Sequence, residues 1–258
     1  MKPSSDRSVL FLDAMGVGPL WLLRSRARSS ALAPGELAPT LPKVEAPSAA
    51  PGAVSMAWFD DAPVPAPVPA ATEEAIARMD WAELKAAAAA CTRCDLCRKR
   101  ERSVFGRGGV KADWLLLGSG PSRADEKAGQ AVSGAAGVLL GNMLLAIGQQ
   151  DAYVTNLVKC RAQDGSGADR APLAQEVAAC RPFLERELSL TQSGLIVALG
   201  QPAASALLGH AERGTVHQYR ATPVVASIDP EALLCRGEDK AKAWADLCLA
   251  GQAHGRRA

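Results

Sequence analysis

The sequence predicts a doubly wound α/β fold: a mainly parallel sheet with helices on both faces, preceded by a disordered Pro/Ala-rich linker. Two patterns carry that expectation. Four short runs are apolar throughout, as strands buried on both faces must be, and longer stretches with helical spacing separate or follow them. Composition agrees, because 258 residues at 48% hydrophobic and 22% charged can build one sizeable core. A net charge of +2 excludes a strongly basic DNA-coating protein, and the apolar content excludes a wholly disordered chain.

Residues 1–30 come first, with Phe11, Leu12, Leu20, Trp21, Leu22 and Leu23 on a segment that a proline-rich run isolates. Apolar residues on a tether suggest a partner-docking peptide; the alternative is a poorly ordered terminus with incidental leucines. Val9 to Leu23, with Ala31-Leu32-Ala33 beyond it, imitates an export signal. Asp13, Gly16, Gly18 and Pro19 interrupt that stretch, and Arg24, Arg26 and Arg28 precede the supposed cleavage point. It is also too short to span a bilayer, so the expected location is cytoplasmic, with no membrane partner. Residues 31–71 are the linker, since nine of the 17 prolines lie between positions 31 and 70 and such a run favours extended, unpaired chain.

The folded domain is expected over residues 72–250, with 251–258 as a tail. Asp80 and Glu83 have the spacing of a capping box ahead of Trp81, Leu84 and an alanine run that ends at Cys91. Trp114 to Leu117, Ala152 to Thr155, Leu195 to Leu199 and Pro223 to Ala226 read as buried strands. Gly137 to Ile147, Ala174 to Leu190, Gln201 to Leu208 and Glu238 to Leu249 read as helices. In such a fold the functional loops follow the strands, after Leu117, Thr155, Leu199 and Ala226.

Seven cysteines are too few for a disulfide scaffold of this length and odd in number, which favours a reducing compartment. Cys91-Thr-Arg-Cys94 puts two thiols in one short turn, while Cys160 and Cys180 lie far along the chain, each beside an arginine (Arg161, Arg181). Four thiolates can hold zinc or an iron-sulfur cluster, and spacing does not choose between them. A plainer reading makes Cys160 and Cys180 ordinary buried thiols. Cys97, Cys235 and Cys248 are expected as small interior hydrophobes. Around the first pair, Arg93, Arg98, Lys99, Arg100, Arg102, Arg107 and Lys111 are only partly offset by Asp95 and Glu101. They form either a phosphate-binding patch or a solvated loop.

From Trp81 to about Ala250 the chain resembles the iron-sulfur, family-four uracil-DNA glycosylases. The matching stretches are Cys91-x-x-Cys94-x-Leu96, Val104-x-Gly106-x-Gly108, Leu115 to Glu126, Gly129 to Leu140 and Tyr153-Val-Thr-Asn156-Leu-Val-Lys-Cys160-Arg161. They continue with Ala179-Cys180-Arg-Pro-Phe-Leu184, Val197-Ala-Leu-Gly200 and Asp229-Pro230-x-x-Leu233-Leu234. The resemblance implies a [4Fe-4S] cluster on Cys91, Cys94, Cys160 and Cys180, zinc being the alternative, and a carboxyl sheet edge that binds DNA. It implies that a flipped uracil is read by Asn156 and that Asp125 can orient water.

Three positions depart from the family pattern. The loop Gly118-Ser119-Gly120-Pro121-Ser122 lacks a carboxylate and a glycine, and Val132 replaces the aromatic that would stack on the base. Asp229 stands where the family has a histidine that donates to the leaving base. An anionic carboxylate there opposes a base that departs with its electrons, so base excision is expected to be impaired or absent. Each motif has a plainer reading, Asn156 as a strand-end cap and Asp229-Pro230 as a turn opener.

The terminal segments resemble the DNA polymerase III psi subunit, through Leu12-Asp-x-Met15-Gly16, Leu20-Trp21-x-Leu23-Arg24, Val225-Ala-Ser227 and Lys242-Ala-Trp244-Ala-x-Leu247-Cys248. That resemblance implies docking on the replication clamp loader through Leu20, Trp21, Leu23 and Arg24. The expectation is therefore an iron-sulfur, glycosylase-like protein of DNA replication or repair that binds DNA, the clamp loader or both. The alternatives are an active uracil-DNA glycosylase and a zinc-stabilised α/β domain with a vestigial site.

Overall fold

A computed structural model describes residues 71–255. The expected docking peptide, with Leu20, Trp21, Leu23 and Arg24, and all but the last residue of the linker lie outside the described residues.

Two helices open the domain, α1 (Glu73–Ile76) and α2 (Trp81–Ala90). The expected capping box closes α2, with the Glu83 amide donating to Asp80 Oδ1 at 2.8 Å and the Asp80 amide to Glu83 Oε2 at 2.9 Å. A 3₁₀ turn (Asp95–Arg98) leads to β1 (Trp114–Gly118), α3 (Arg123–Ala128), α4 (Gly134–Ala146), β2 (Ala152–Asn156), α5 (Ala174–Thr191), β3 (Leu195–Leu199) and α6 (Gln201–Leu208). The chain ends with β4 (Val216–Tyr219), β5 (Thr222–Ser227), α7 (Pro230–Cys235) and α8 (Lys240–Gly255).

The sheet order is β2-β1-β3-β5-β4, parallel except for β4, which pairs antiparallel with β5. The expected doubly wound, mainly parallel sheet is the observed one. β1 and β3 are buried at every position, as continuous apolar runs require. Strand alternation divides the core in two. Leu116, Val154, Val197 and Val225 pack with α4, α7 and α8, whereas Leu115, Leu117, Ile196 and Ala226 pack with α5 and α6. A third cluster joins α1, α2 and α5 through Ile76, Leu84, Ala88, Phe105, Cys160, Cys180 and Phe183.

The structure adds elements that the sequence pattern hides. β4 alternates between exposed and half-buried positions and has no apolar run. α3 and α7 each span six residues, too short for a clear helical period. α8 runs on to Gly255, into the stretch expected as tail. Cys235 is exposed at the end of α7, and Cys97 and Cys248 are only half-buried, so the expected interior placement of these three cysteines is corrected. No helix among the described residues is long and apolar enough to cross a membrane.

Candidate functional site

Winding reverses between β1 and β3, so the crevice beyond their carboxyl ends is the natural ligand position of the sheet. Parallel register sets Gly118, the last residue of β1, beside Asn156, the last residue of β2. A Cβ on residue 118 would lie 2.2 Å from Asn156 Oδ1, so glycine is what admits the amide. Asn156 is 2% exposed, yet its Nδ2 has no hydrogen-bond partner. A buried donor left unpaired costs about 1–3 kcal/mol.

The next loop brings Ser119, Gly120 and Pro121 to Ser122, the N-cap of α3. Gly120 packs closely, because a Cβ there would sit 3.0 Å from Val158 and 3.2 Å from Pro172. Asp125 closes a capping box, its Oδ2 accepting from the Ser122 amide at 3.0 Å and its Oδ1 from the Ser133 amide. It thereby ties α3 to the start of α4. Ser133 caps α4 without a side-chain bond, and its buried Oγ is unpartnered.

Val132 precedes it in the left-handed region, at φ 51°, a costly conformation for a β-branched residue. Arg107 holds that turn, donating from Nε to the Ala131 carbonyl at 2.6 Å and from Nη2 to the Val132 carbonyl at 3.0 Å. Val132 itself packs against the core.

Asp229 caps α7, its Oδ1 accepting from the Glu231 amide at 2.8 Å, and its Cβ would lie 3.3 Å from a Cβ on Gly200. Burial pushes its carboxyl above the ordinary range against two backbone hydrogen bonds, and the charge of Asp125 adds to the rise. Glu231 is raised too, by burial first and then by Asp229, Asp169 and Asp125. The three sequence-expected reaction residues Asp125, Asn156 and Asp229 thus share one sheet edge. The histidines do not: His210 and His217 interact around Glu212, and His254 meets Trp114 at a tilt, ring centroids 6.0 Å apart.

On the α2/α5 side, Cys91, Cys94, Cys160 and Cys180 line one cavity with Ala88, Leu96, Val158 and Phe183. Cys97 lines it too, although sequence reasoning set it aside. Two of the four expected ligand sulfurs have an N–H donor, the Arg93 amide donating to Cys91 Sγ at 3.5 Å and Arg100 Nη1 to Cys160 Sγ at 3.2 Å. The backbone N–H groups of Leu96 and Lys159 favour the thiolate forms of Cys94 and Cys180 against their burial. As free thiols three of the four resist ionisation. Burial raises Cys94 and Cys160 and pushes Cys180 up to about 12. No group of three or more His, Cys, Asp or Glu side chains among the described residues is arranged to hold a metal ion.

The arginines beside the late cysteines do not serve this cavity. Arg161 pairs with Asp169 and Arg181 with Glu185, while Arg100, distant in sequence, reaches Cys160. Of the expected cationic cluster, Arg93, Arg100 and Arg107 are tied to protein groups; Arg98, paired with Asp95 at 3.3 Å, and Lys99, Arg102 and Lys111 are exposed.

Val104-x-Gly106 has a steric reason as well. The segment covers the free edge of β2, Arg107 exchanging backbone bonds with Val154 at 2.9 and 2.8 Å, and a Cβ at residue 106 would lie 1.9 Å from the Tyr153 hydroxyl.

Residues 105–248 match the Uracil DNA glycosylase superfamily. The type-4 uracil-DNA glycosylase of Archaeoglobus fulgidus is 30% identical over 182 residues, covering 65% of this chain and 89% of that protein. Those of Pyrobaculum aerophilum (34% over 132 residues) and Thermotoga maritima (32% over 136) cover 50% and 52% of this chain, and 65% and 68% of their own lengths. The shared sheet edge, the glycines that let Tyr153 and Asn156 in, and the sequence match over most of the described domain lead to one conclusion: the chain belongs to the uracil-DNA glycosylase superfamily.

Proposed function

We propose that this protein reads uracil in DNA at the carboxyl edge through Asn156, and that Asp229 makes release of the base slow at neutral pH. The observation that carries this reading is the buried, unpartnered Nδ2 of Asn156. A pyrimidine carbonyl entering there would supply the missing acceptor, and Oδ1 can accept from uracil N3–H. Cytosine presents the reverse pattern on the same edge. The names of the relatives support a role in DNA repair.

Release of the base leaves negative charge on it, so its neighbours decide the rate. An ionised carboxylate about 4 Å away would oppose that charge by roughly 4 kcal/mol at an effective dielectric near 20, about three orders of magnitude in rate. A protonated Asp229 would donate instead. Because burial raises this carboxyl, the neutral form persists to higher pH than for an ordinary aspartate. Release is therefore favoured by acid and lost as pH rises through the pKa of folded Asp229. Asp125 spends one lone pair of each oxygen on amides and keeps the others for a water. Val132 offers the base contact area without a ring to stack on.

The cysteine cavity supports a [4Fe-4S] group on Cys91, Cys94, Cys160 and Cys180. N–H donors at Cys91 and Cys160 suit thiolate sulfurs, and four cysteines lining one cavity with apolar side chains suit a metal group held by thiolates. When bound, such a group cross-links the turn after α2, the loop after β2 and α5. Exposed Arg98, Lys99 and Arg102 on the first of these segments suit backbone phosphates. On sequence alone we also propose that Leu20, Trp21, Leu23 and Arg24 dock on a replication clamp loader.

A uracil-containing single strand incubated with the protein tests the main reading. Free uracil and abasic sites should accumulate slowly, faster in acid, and not at all with Asn156→Ala. Undiminished release by that variant would contradict it.

A further inference from the structure

The segment 156–160 runs from the base-reading amide to a cluster cysteine, and its Lys159 takes part in none of the steps above. Lys159 is 1% exposed and Glu187 0%. The ammonium donates to Glu187 Oε2 at 2.6 Å, Thr155 Oγ1 at 2.7 Å and the Asn156 carbonyl at 2.8 Å, which uses all three of its protons. Tyr153 and Thr155 hydroxyls donate to the two Glu187 oxygens, each at 3.0 Å. The rest of Lys159 is placed as well: its backbone carbonyl accepts from the Val104 amide at 2.7 Å, and the residue lines the cysteine cavity immediately before Cys160. A buried ion pair is often no more stabilising than apolar side chains of the same volume, so stability alone does not account for this arrangement.

We propose that Lys159 is a positioning residue that makes the orientation of Asn156 depend on a filled cysteine cavity, its ammonium holding the Asn156 carbonyl while the residue itself lines that cavity beside Cys160. The proposal rests on the base-reading role given to Asn156 above. A shift of Cys160 displaces the adjoining Lys159 backbone, and through the folded-back side chain it displaces the residue that meets the base. Thr155 and Glu187 confine the ammonium so that the displacement is transmitted rather than absorbed.

The test measures binding of single strands carrying one uracil or one cytosine, by fluorescence anisotropy, with iron content and melting temperature recorded for each protein. The cluster-loaded wild type is compared with Asn156→Ala, Glu187→Gln and the double variant Lys159→Met with Glu187→Gln, which leaves neither charge unpaired. Preference for uracil should fall by about tenfold in Asn156→Ala and in the double variant, at unchanged iron content and cytosine-strand affinity. Glu187→Gln should melt earlier yet keep the preference, because its lysine still reaches the Asn156 carbonyl; a merely structural role would make preference follow melting temperature.

Loss of preference in Asn156→Ala but not in the double variant overturns the role of Lys159 and leaves the base reading intact. Preference retained by Asn156→Ala overturns the base reading. In that case, or if the double variant does not load iron, amide exchange of the wild type decides: chelation of the iron should speed exchange at residues 155–157, and no change there overturns the proposal.

Discussion

The cysteine cavity and the carboxyl sheet edge are neighbours built to opposite standards. Around the cavity the Cys91 and Cys160 sulfurs meet N–H donors, and Ala88, Leu96, Val158 and Phe183 close the walls. Along the edge, Asn156 Nδ2 and Ser133 Oγ are buried without partners, Val132 is strained, and Asp229 and Glu231 are both pushed upward. Hydrogen-bond accounting thus separates a scaffold that holds its shape from an edge that waits for a ligand.

The sharpest way to break this contrast is to remove a cavity sulfur. Cys160→Ala or Cys180→Ala, purified without oxygen, should lose the brown colour and the absorption near ~400 nm altogether. Colourless wild type with stoichiometric zinc would reverse the cofactor assignment. At the edge the largest effect is a gain. Asp229→His should speed uracil release at neutral pH by up to about 10³, read by single-turnover kinetics.

Smaller effects sharpen the comparison. Gly118→Ala must displace Asn156, since the new methyl would fall 2.2 Å from Oδ1; preference for uracil over cytosine should drop by about tenfold with iron content unchanged. Cys97→Ala should leave iron content and absorbance as they are, since Cys97 lines the cavity but is not among the four expected ligands.

How much of this was legible in the sequence depends on the range of the interaction. Parallel strands buried on both faces announce themselves as apolar runs, and Asp80 with Glu83 announces a cap because both partners lie in one turn. β4 has a wet face and no such run. The four cavity cysteines could be grouped by resemblance, but the donor to Cys160 could not be found. Adjacent Arg161 turns to Asp169, and the donor is Arg100, 60 residues away. Lys159 and Glu187 were equally invisible, being 28 residues apart and joined only by the packing of α5 under β2. Asp125 was legible as an acidic position but not as a brace between α3 and α4.

The raised carboxyl of Asp229 is where sequence and structure pull in different directions. Its identity predicts an anion that opposes the leaving base, and its burial favours the neutral acid. The sign is fixed: a carboxyl raised in the fold holds its proton longer than the unfolded chain's near 3.9, so whatever depends on the neutral form is present at low pH and disappears through the folded value. Single-turnover release of uracil from a single strand across pH 5 to 8 tests this most directly. Slow release at neutral pH that quickens with acid, and that Asp229→His makes fast at neutrality, is the predicted result. Fast, pH-independent release by the wild type, unimproved by the histidine, would contradict it.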